Sequence, residues 1–248
     1  MGLEVRALAG LPEVRPDDDL PGLIAEAEPD LREGDVLAVA HKVVSKAEGR
    51  VRDLATVTAS PRARELAAEH GKDPRALQVV LEETAELVRT ERDVIICRTH
   101  HGLVCANAGV DASNAGAPDR VVLLPLDPDG SARALRAGLR ERVGAAPAIV
   151  VTDSFGRAWR HGQCDVAVGC AGLAPLEDWR GRTDAEGREL RATWIAVADE
   201  LAAAADLARA KDGGQPVVRL RGLARHVTDE DGPGAMALRR PLAEDLFR

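Results

Sequence analysis

The chain has 248 residues and a formal net charge of −8, with no tyrosine and two phenylalanines. That length supports one large domain or two small ones; the negative balance disfavours non-specific attachment to nucleic acid or anionic membranes, and the scarcity of aromatic rings removes the stacking platforms that single-stranded nucleic acid uses. No run of about 18 apolar residues occurs, and "MGLEVRALAGLPEV" lacks a basic stretch followed by an apolar one, so neither a membrane span nor a secretory signal is expected.

In chain order, "DVLAVAHKVV" (35–44) reads as a buried strand, being rich in Val and Leu. "SPRARELAAEH" from Ser60 and "DPRALQVVLEETAELV" from Asp73 each open with an N-cap residue followed by Pro, predicting two helices. Leu77, Val80, Leu81 and Leu87 share one face of the second. "DVIICR" and "GLVCANAGV" flank the polar "THH" as a hairpin. "RVVLLP" is a further strand, and "DPDGSARALRAGLRERV" a helix with acids at its start. "APAIVVTDSFGR" is a strand running into a polar turn, and "CDVAVGCAG" another strand. An Ala-rich helix begins near Thr193, and "VVRLRG" follows as a strand. From His226 the chain is charged and reads as a mobile loop before a short terminal helix. Strands and helices mix without regular alternation, so the expected class is α+β. The cysteines Cys97, Cys105, Cys164 and Cys170 lie in apolar, strand-like runs, which fits buried thiols in a reducing, cytoplasmic compartment.

The phosphate loop, the dinucleotide fingerprint, the nucleophile elbow and the zincin motif are all missing. What remains is a set of polar clusters. Asp111 in "ANAGVDASN" and Asp153 in "AIVVTDS" each follow an apolar run and precede hydroxyl or amide side chains: Ser113 and Asn114 in one case, Ser154 in the other. Acids at strand ends suit a hard divalent cation with phosphate oxygens completing its shell; each is equally suited to start a turn through its own backbone. Lys42 and Lys46 stand near the end of the first strand, either aimed at one anion or solvated. "AKDGGQP" (210–216) offers glycines for close phosphate approach, or a plain helix C-cap. Arg157, Arg160 and His161 follow Asp153 as anion-gripping forks or a basic surface loop. Cys97, His100, His101 and Cys105 invite a zinc reading, but a hairpin keeps the histidines in the turn and the cysteines on the strands.

The ordered set "GLPEV", "GDVLAVAHKVVSKAEGR", "CANAGVDASN", "LDPDGSA", "VVTDSFGRAWRHGQCDVAVG", "LEDWRGRTDAEGREL" and "VADELAAAADL" resembles the coenzyme F-420:L-glutamate ligase (F-420-0 gamma-glutamyl ligase) family, over nearly all of residues 3 to 223. The resemblance implies a mixed α+β fold particular to that family, with two intertwined subdomains, residues 1–225 forming the ligase domain and 226–248 a charged tail. It implies a cytoplasmic homodimer that uses GTP to join L-glutamate to a deazaflavin phosphodiester through an acyl phosphate. Divalent metal (Mn or Mg) and monovalent K are the implied cofactors.

Carried over by position, the metal ligands are Asp111, Asp153 and Ser154. Some relatives place an acid where this chain has Lys211, which leaves the neighbouring Asp212 as the candidate substitute. The nucleotide contacts are Leu11, Pro12, Glu13, Val14, His41, Lys42, Lys46, Asn114 and the loop Arg209, Ala210, Lys211, Asp212, Gly213, Gly214, Gln215 and Pro216. Lys42, Lys46 and Arg157 are the residues expected to stabilise developing charge. Two other readings compete: a metal-dependent phosphohydrolase with Asp153 as nucleophile, although "DSFGR" lacks the usual second acid, and a non-catalytic GTP-binding relative.

Overall fold

A computed structural model describes residues 2–210 and 212–245. In chain order its elements are β1 (Glu4–Ala7), α1 (Leu20–Ala27), β2 (Val36–Ala40), α2 (His41–Ala47), β3 (Val51–Asp53), α3 (Pro61–His70), α4 (Pro74–Glu82), β4 (Thr84–Glu91), β5 (Val94–Thr99), β6 (Val104–Ala106), β7 (Arg120–Val122), α5 (Pro128–Val143), β8 (Ala148–Arg157), β9 (Arg160–Ala171), β10 (Glu177–Asp178), β11 (Trp194–Ile195), α6 (Val197–Ala208) and β12 (Val217–Arg221), with short 3-10 turns between some of them.

The main sheet runs β1–β12–β2–β8–β9. Its pairs are antiparallel except β2 with β8, which run parallel with Val36 opposite Ala148. Both faces are covered, which explains why β2 and β8 read as unbroken apolar runs. Leu37, Val39, Ile149 and Val151 pack on one face against Leu20 and Ile24 of α1 and Leu135 and Leu139 of α5. Val36, Ala38, Ala148 and Val150 pack on the other against Val197, Ala198, Leu201, Ala202 and Ala205 of α6. The stripe on α6 is mostly alanine, so that helix lies close to the sheet. On the opposite face the start of α5 also lies close: a Cβ at Gly169 of β9 would stand 2.3 Å from the Pro128 carbonyl.

A second layer joins the sheet β4–β5–β6 to α3 and α4 through Leu66, Leu77, Val80, Ile95 and Cys97. The caps read from sequence hold: Ser60 accepts from the amide of Ala63 and Asp73 from that of Arg75.

Four local readings change. The strand expected over 35–44 stops at Ala40, and His41 begins a helix, in which the adjacent Val43 and Val44 both bury in one core cluster, as alternating strand side chains would not. The helix from Asp73 stops at Glu82. There the Thr84 hydroxyl donates to the Val80 carbonyl, and "TAELVRTE" extends to pair with β5, placing Leu87 on a strand. Asp153 lies inside β8 rather than at its end, since the pairing with β9 continues to Arg157. The segment expected to be mobile is laid against the body: Arg136 donates to the carbonyls of Thr228 and Asp229, and Ala235 is buried. Among the described residues no helix is long and apolar enough to cross a membrane.

Candidate active site

Four segments meet at one end of the main sheet. The segment after β1 is tied to the start of β12 by the bond from Leu8 N to Val217 O (2.8 Å), and the end of β2 is tied to the late loop by the bond from Ala40 N to Pro216 O (2.9 Å). Ala40 in turn stands beside Thr152 of β8. Residues 11–14, the start of α2, the Asp153 region and the loop 209–216 therefore share one end of the sheet, where parallel strands commonly present a site.

Asp111 is pinned to the rim of this end by a two-way backbone bridge with Val122. Its carboxylate accepts from the Ser113 amide (2.7 Å) and the Ser113 hydroxyl (2.9 Å), so the turn expected from the sequence does form. Lys42 adds to this, its Nζ lying 2.6 Å from Asp111 Oδ2 and 2.6 Å from Ser113 Oγ. Burial pushes the Asp111 carboxyl up, but the hydrogen bonds from Lys42 and Ser113 outweigh it and hold it below the usual carboxylate range.

The preceding residue, His41, is buried, with Nδ1 3.4 Å from the Ser45 hydroxyl and Nε2 3.4 Å from Asp153 Oδ1. The second is a close approach and not a hydrogen bond, so Nε2 has no such partner among the described residues. Consecutive residues of α2 thus address the two acids, His41 facing Asp153 and Lys42 facing Asp111. Cys105 of β6 borders the same spot. Burial, with the Asp153 charge beside it, pushes its thiol up to about 12.

The loop carrying Asp111 is strained. Asn107, Ala108 and Gly109 have φ of 51°, 53° and 73° in succession, a left-handed run that side-chain-bearing residues adopt at a cost of about 1–3 kcal/mol each. Leu124 lies where a Cβ on Gly109 would go, at 2.7 Å, so glycine is required there.

Of the other sequence candidates, Lys46 is buried and ion-paired with Glu13, which ties the Leu11–Val14 segment to α2. Asn114 is exposed beside Ser113 at φ 54°. Ala210, Asp212, Gly213 and Gly214 are exposed on the late loop, with Gln215 and Pro216 half-buried; Lys211 lies outside the described residues.

Ser154 is not brought to Asp153. Side chains alternate along β8, and the Ser154 hydroxyl donates instead to Asp165 (2.6 Å) on the α6 face. Arg157 donates to the His161 carbonyl (2.6 Å) at the exposed tip of the β8–β9 hairpin, about 13 Å of strand beyond Asp153. The zinc arrangement does not form: Cys97 and Cys105 face each other across β5 and β6, while His100 and His101 bond the carbonyls of Glu82 and Leu126. No group of three or more His, Cys, Asp or Glu able to hold a metal alone occurs among the described residues.

Sequence reasoning missed Asp165. It is buried on β9, opposite Ser154, and paired with Arg209. A lone acid inside the apolar run "CDVAVGCAG" was the available signal, since a buried carboxylate requires a partner.

Residues 10–222 match the family model described as F420-0:Gamma-glutamyl ligase. The chain is 49% identical over 238 residues to the coenzyme F420:L-glutamate ligase of Methanopyrus kandleri, covering 95% of this chain and 94% of that one. It is 42% identical to the protein of the same name from Methanothermobacter thermautotrophicus, with both chains fully covered, and 46% identical to that from Haloarcula marismortui, covering 99% and 96%.

Proposed function

The chain belongs to the F420-0:gamma-glutamyl ligase family and is a ligase, and from that premise we propose that it uses GTP to add L-glutamate to the deazaflavin precursor of coenzyme F420 through an acyl phosphate. In that reaction a substrate carboxylate attacks the γ-phosphorus, releasing GDP. The glutamate amine then attacks the acyl carbon, releasing phosphate and leaving an amide, and a further cycle yields a γ-glutamyl bond. The observation that carries this reading is the pair of contacts from His41 and Lys42 to Asp153 and Asp111.

The residues fit a divalent cation, Mn or Mg. Two carboxylates stand beside the start of α2, Asp153 at His41 and Asp111 at Lys42, and so sparse a protein shell suits an ion that keeps several waters and phosphate oxygens. Asp111 and Asp153 would hold it, with Asp212 as a further candidate and K as a monovalent companion; Ser154, bonded to Asp165 on the opposite face, would reach it only by turning away from that partner. When bound, the metal supplies charge neutralisation to the phosphoryl oxygens.

The chain's own residues do the rest. Lys42 and Lys46 offset anionic charge, which a protein of net charge −8 must do locally. His41 borders the Asp153 side of the site. The segments 11–14 and 209–216, with Asn114, line the nucleotide. The chemistry asks for positioning and electrostatics rather than a protein nucleophile, which agrees with the missing nucleophile motifs. A cytoplasmic homodimer is part of the same proposal.

Mass spectrometry of products formed from GTP, L-glutamate and the purified deazaflavin precursor, with and without Mn or Mg, tests it. The expected product carries added glutamyl residues, and GDP release requires both co-substrates. GTP hydrolysis without an acceptor, through a phosphorylated Asp153, would favour a phosphohydrolase instead. Tight GTP binding with no glutamate incorporation under any metal would mark a non-catalytic relative.

A further inference from the structure

We propose that Asp165 and Arg209 form a buried positioning clamp that holds the two ends of the late loop, Arg209 and Pro216, against the Asp153 segment of β8 before a nucleotide binds; the proposal rests on reading that loop as a nucleotide contact. The Asp165 side chain is 1% exposed and faces Ser154 across the β8–β9 ladder. One of its oxygens accepts from the Ser154 hydroxyl (2.6 Å), the other from the Thr152 hydroxyl (3.0 Å), and that second oxygen also pairs with Arg209 Nη2. Thr152 and Ser154 are the immediate neighbours of Asp153, so the buried carboxylate grips β8 on both sides of that acid while Asp153 itself turns to the opposite face.

Arg209 is the residue at which α6 ends and the loop begins. While Nη2 holds Asp165 and the Thr152 hydroxyl (3.1 Å), Nη1 donates to the carbonyl of Pro216 (3.1 Å), at the far end of the same loop. That carbonyl also accepts from Ala40 N, directly before His41. One guanidinium therefore ties both ends of the loop to each other, to β8 and to the start of α2. Between these ties Ala210, Asp212, Gly213 and Gly214 are exposed, with a single turn bond from Gly213 N to the Ala210 carbonyl (3.2 Å) among the described residues. The ties at its ends therefore do much to set the loop. A planar, two-armed guanidinium can make such a bridge, whereas a lysine ammonium can hold Asp165 but has no second arm for Pro216.

The test uses the full chain carrying Asp165→Asn or Arg209→Lys. Three readouts apply: steady-state kinetics with GTP varied, amide hydrogen exchange of a peptide covering 209–216 without nucleotide, and a thermal unfolding midpoint for each variant. Asp165→Asn is expected to raise KM for GTP about tenfold while kcat stays within about threefold, because lost pre-organisation weakens binding rather than chemistry. Exchange in the loop is expected to quicken about tenfold. Arg209→Lys should give the same loop exchange with a smaller rise in KM, since Lys keeps the charge opposite Asp165.

Unchanged loop exchange in folded variants overturns the clamp, as does a fall in kcat with KM unmoved. If Asp165→Asn does not fold, Arg209→Lys decides by the same two readouts. A wild-type chain that turns over no GTP defeats the ligase reading instead, and the exchange comparison still decides the clamp.

Discussion

Asp111 and Asp165 each pair with a basic side chain beside β8, on opposite sides of the sheet, and they differ in almost everything else. Asp111 is 42% exposed and faces Lys42, a flexible point charge; Asp165 is 1% exposed and is held by one arm of Arg209 and two hydroxyls. A half-exposed lysine contact is cheap to exchange for another ligand. A buried, fully bonded pair is not, because removing either partner strands a charge away from water. The site thus couples one acid that can change partners to another that cannot, with the segment carrying Asp153 between them.

The comparison breaks most visibly on the buried side. Arg209→Ala should destabilise the fold by about 3–5 kcal/mol in urea unfolding, since it removes the guanidinium paired with the buried Asp165; a loss under about 1 kcal/mol would mean the pair is wetter than its burial implies. On the site side the loss should fall on activity. Asp153→Asn and Asp111→Asn should each lower glutamate incorporation by at least ~100-fold with little change in the unfolding midpoint, and full turnover in either would remove that acid from the site.

Gly109→Ala tests the strained loop that presents Asp111. With Leu124 at 2.7 Å from the new Cβ and φ at 73°, it should cost about 1–3 kcal/mol of stability, checked by the urea midpoint.

The smallest effect belongs to the exposed pair. The folded Asp111 carboxyl is held below its ordinary value, so its contribution is present above about pH 4 and disappears as pH falls through the folded value. Lys42→Met should shrink that acid limb, leaving the part due to Ser113, in a stability profile taken between about pH 3 and pH 7, changing the neutral-pH value by less than about 1 kcal/mol.

Much of this was legible in the chain itself, unevenly. The caps at Ser60 and Asp73 are local and survived intact. The switch at His41 was not legible, because a strand buried on both faces and a short buried helix look alike as an apolar run. Nor was β4, where "TAELV" carries residues acceptable to either state and pairing with β5 decides. For the site, the acids and lysines stood out as residue types, and the contacts of His41 and Lys42 supplied their partners. Ser154 was assigned by adjacency to Asp153, and adjacency misleads in a strand, where neighbours point apart. Asp165 lay in plain view as a charge inside an apolar stretch, yet its partner is 44 residues away, a separation that no local pattern spans.

The parallel pairing of β2 with β8 sets when the site can first exist. Val36 meets Ala148, and Glu4 meets Arg221 only after β12 has been made. Closing a loop of roughly a hundred residues is entropically slow to nucleate. His41 and Asp153 are therefore strangers through most of synthesis, and the late loop arrives last of all. Refolding monitored by recovery of nucleotide binding should trail the formation of helix in α3 and α4, whose contacts are local. A nascent chain of this sequence would carry helices long before it carries a catalytic end.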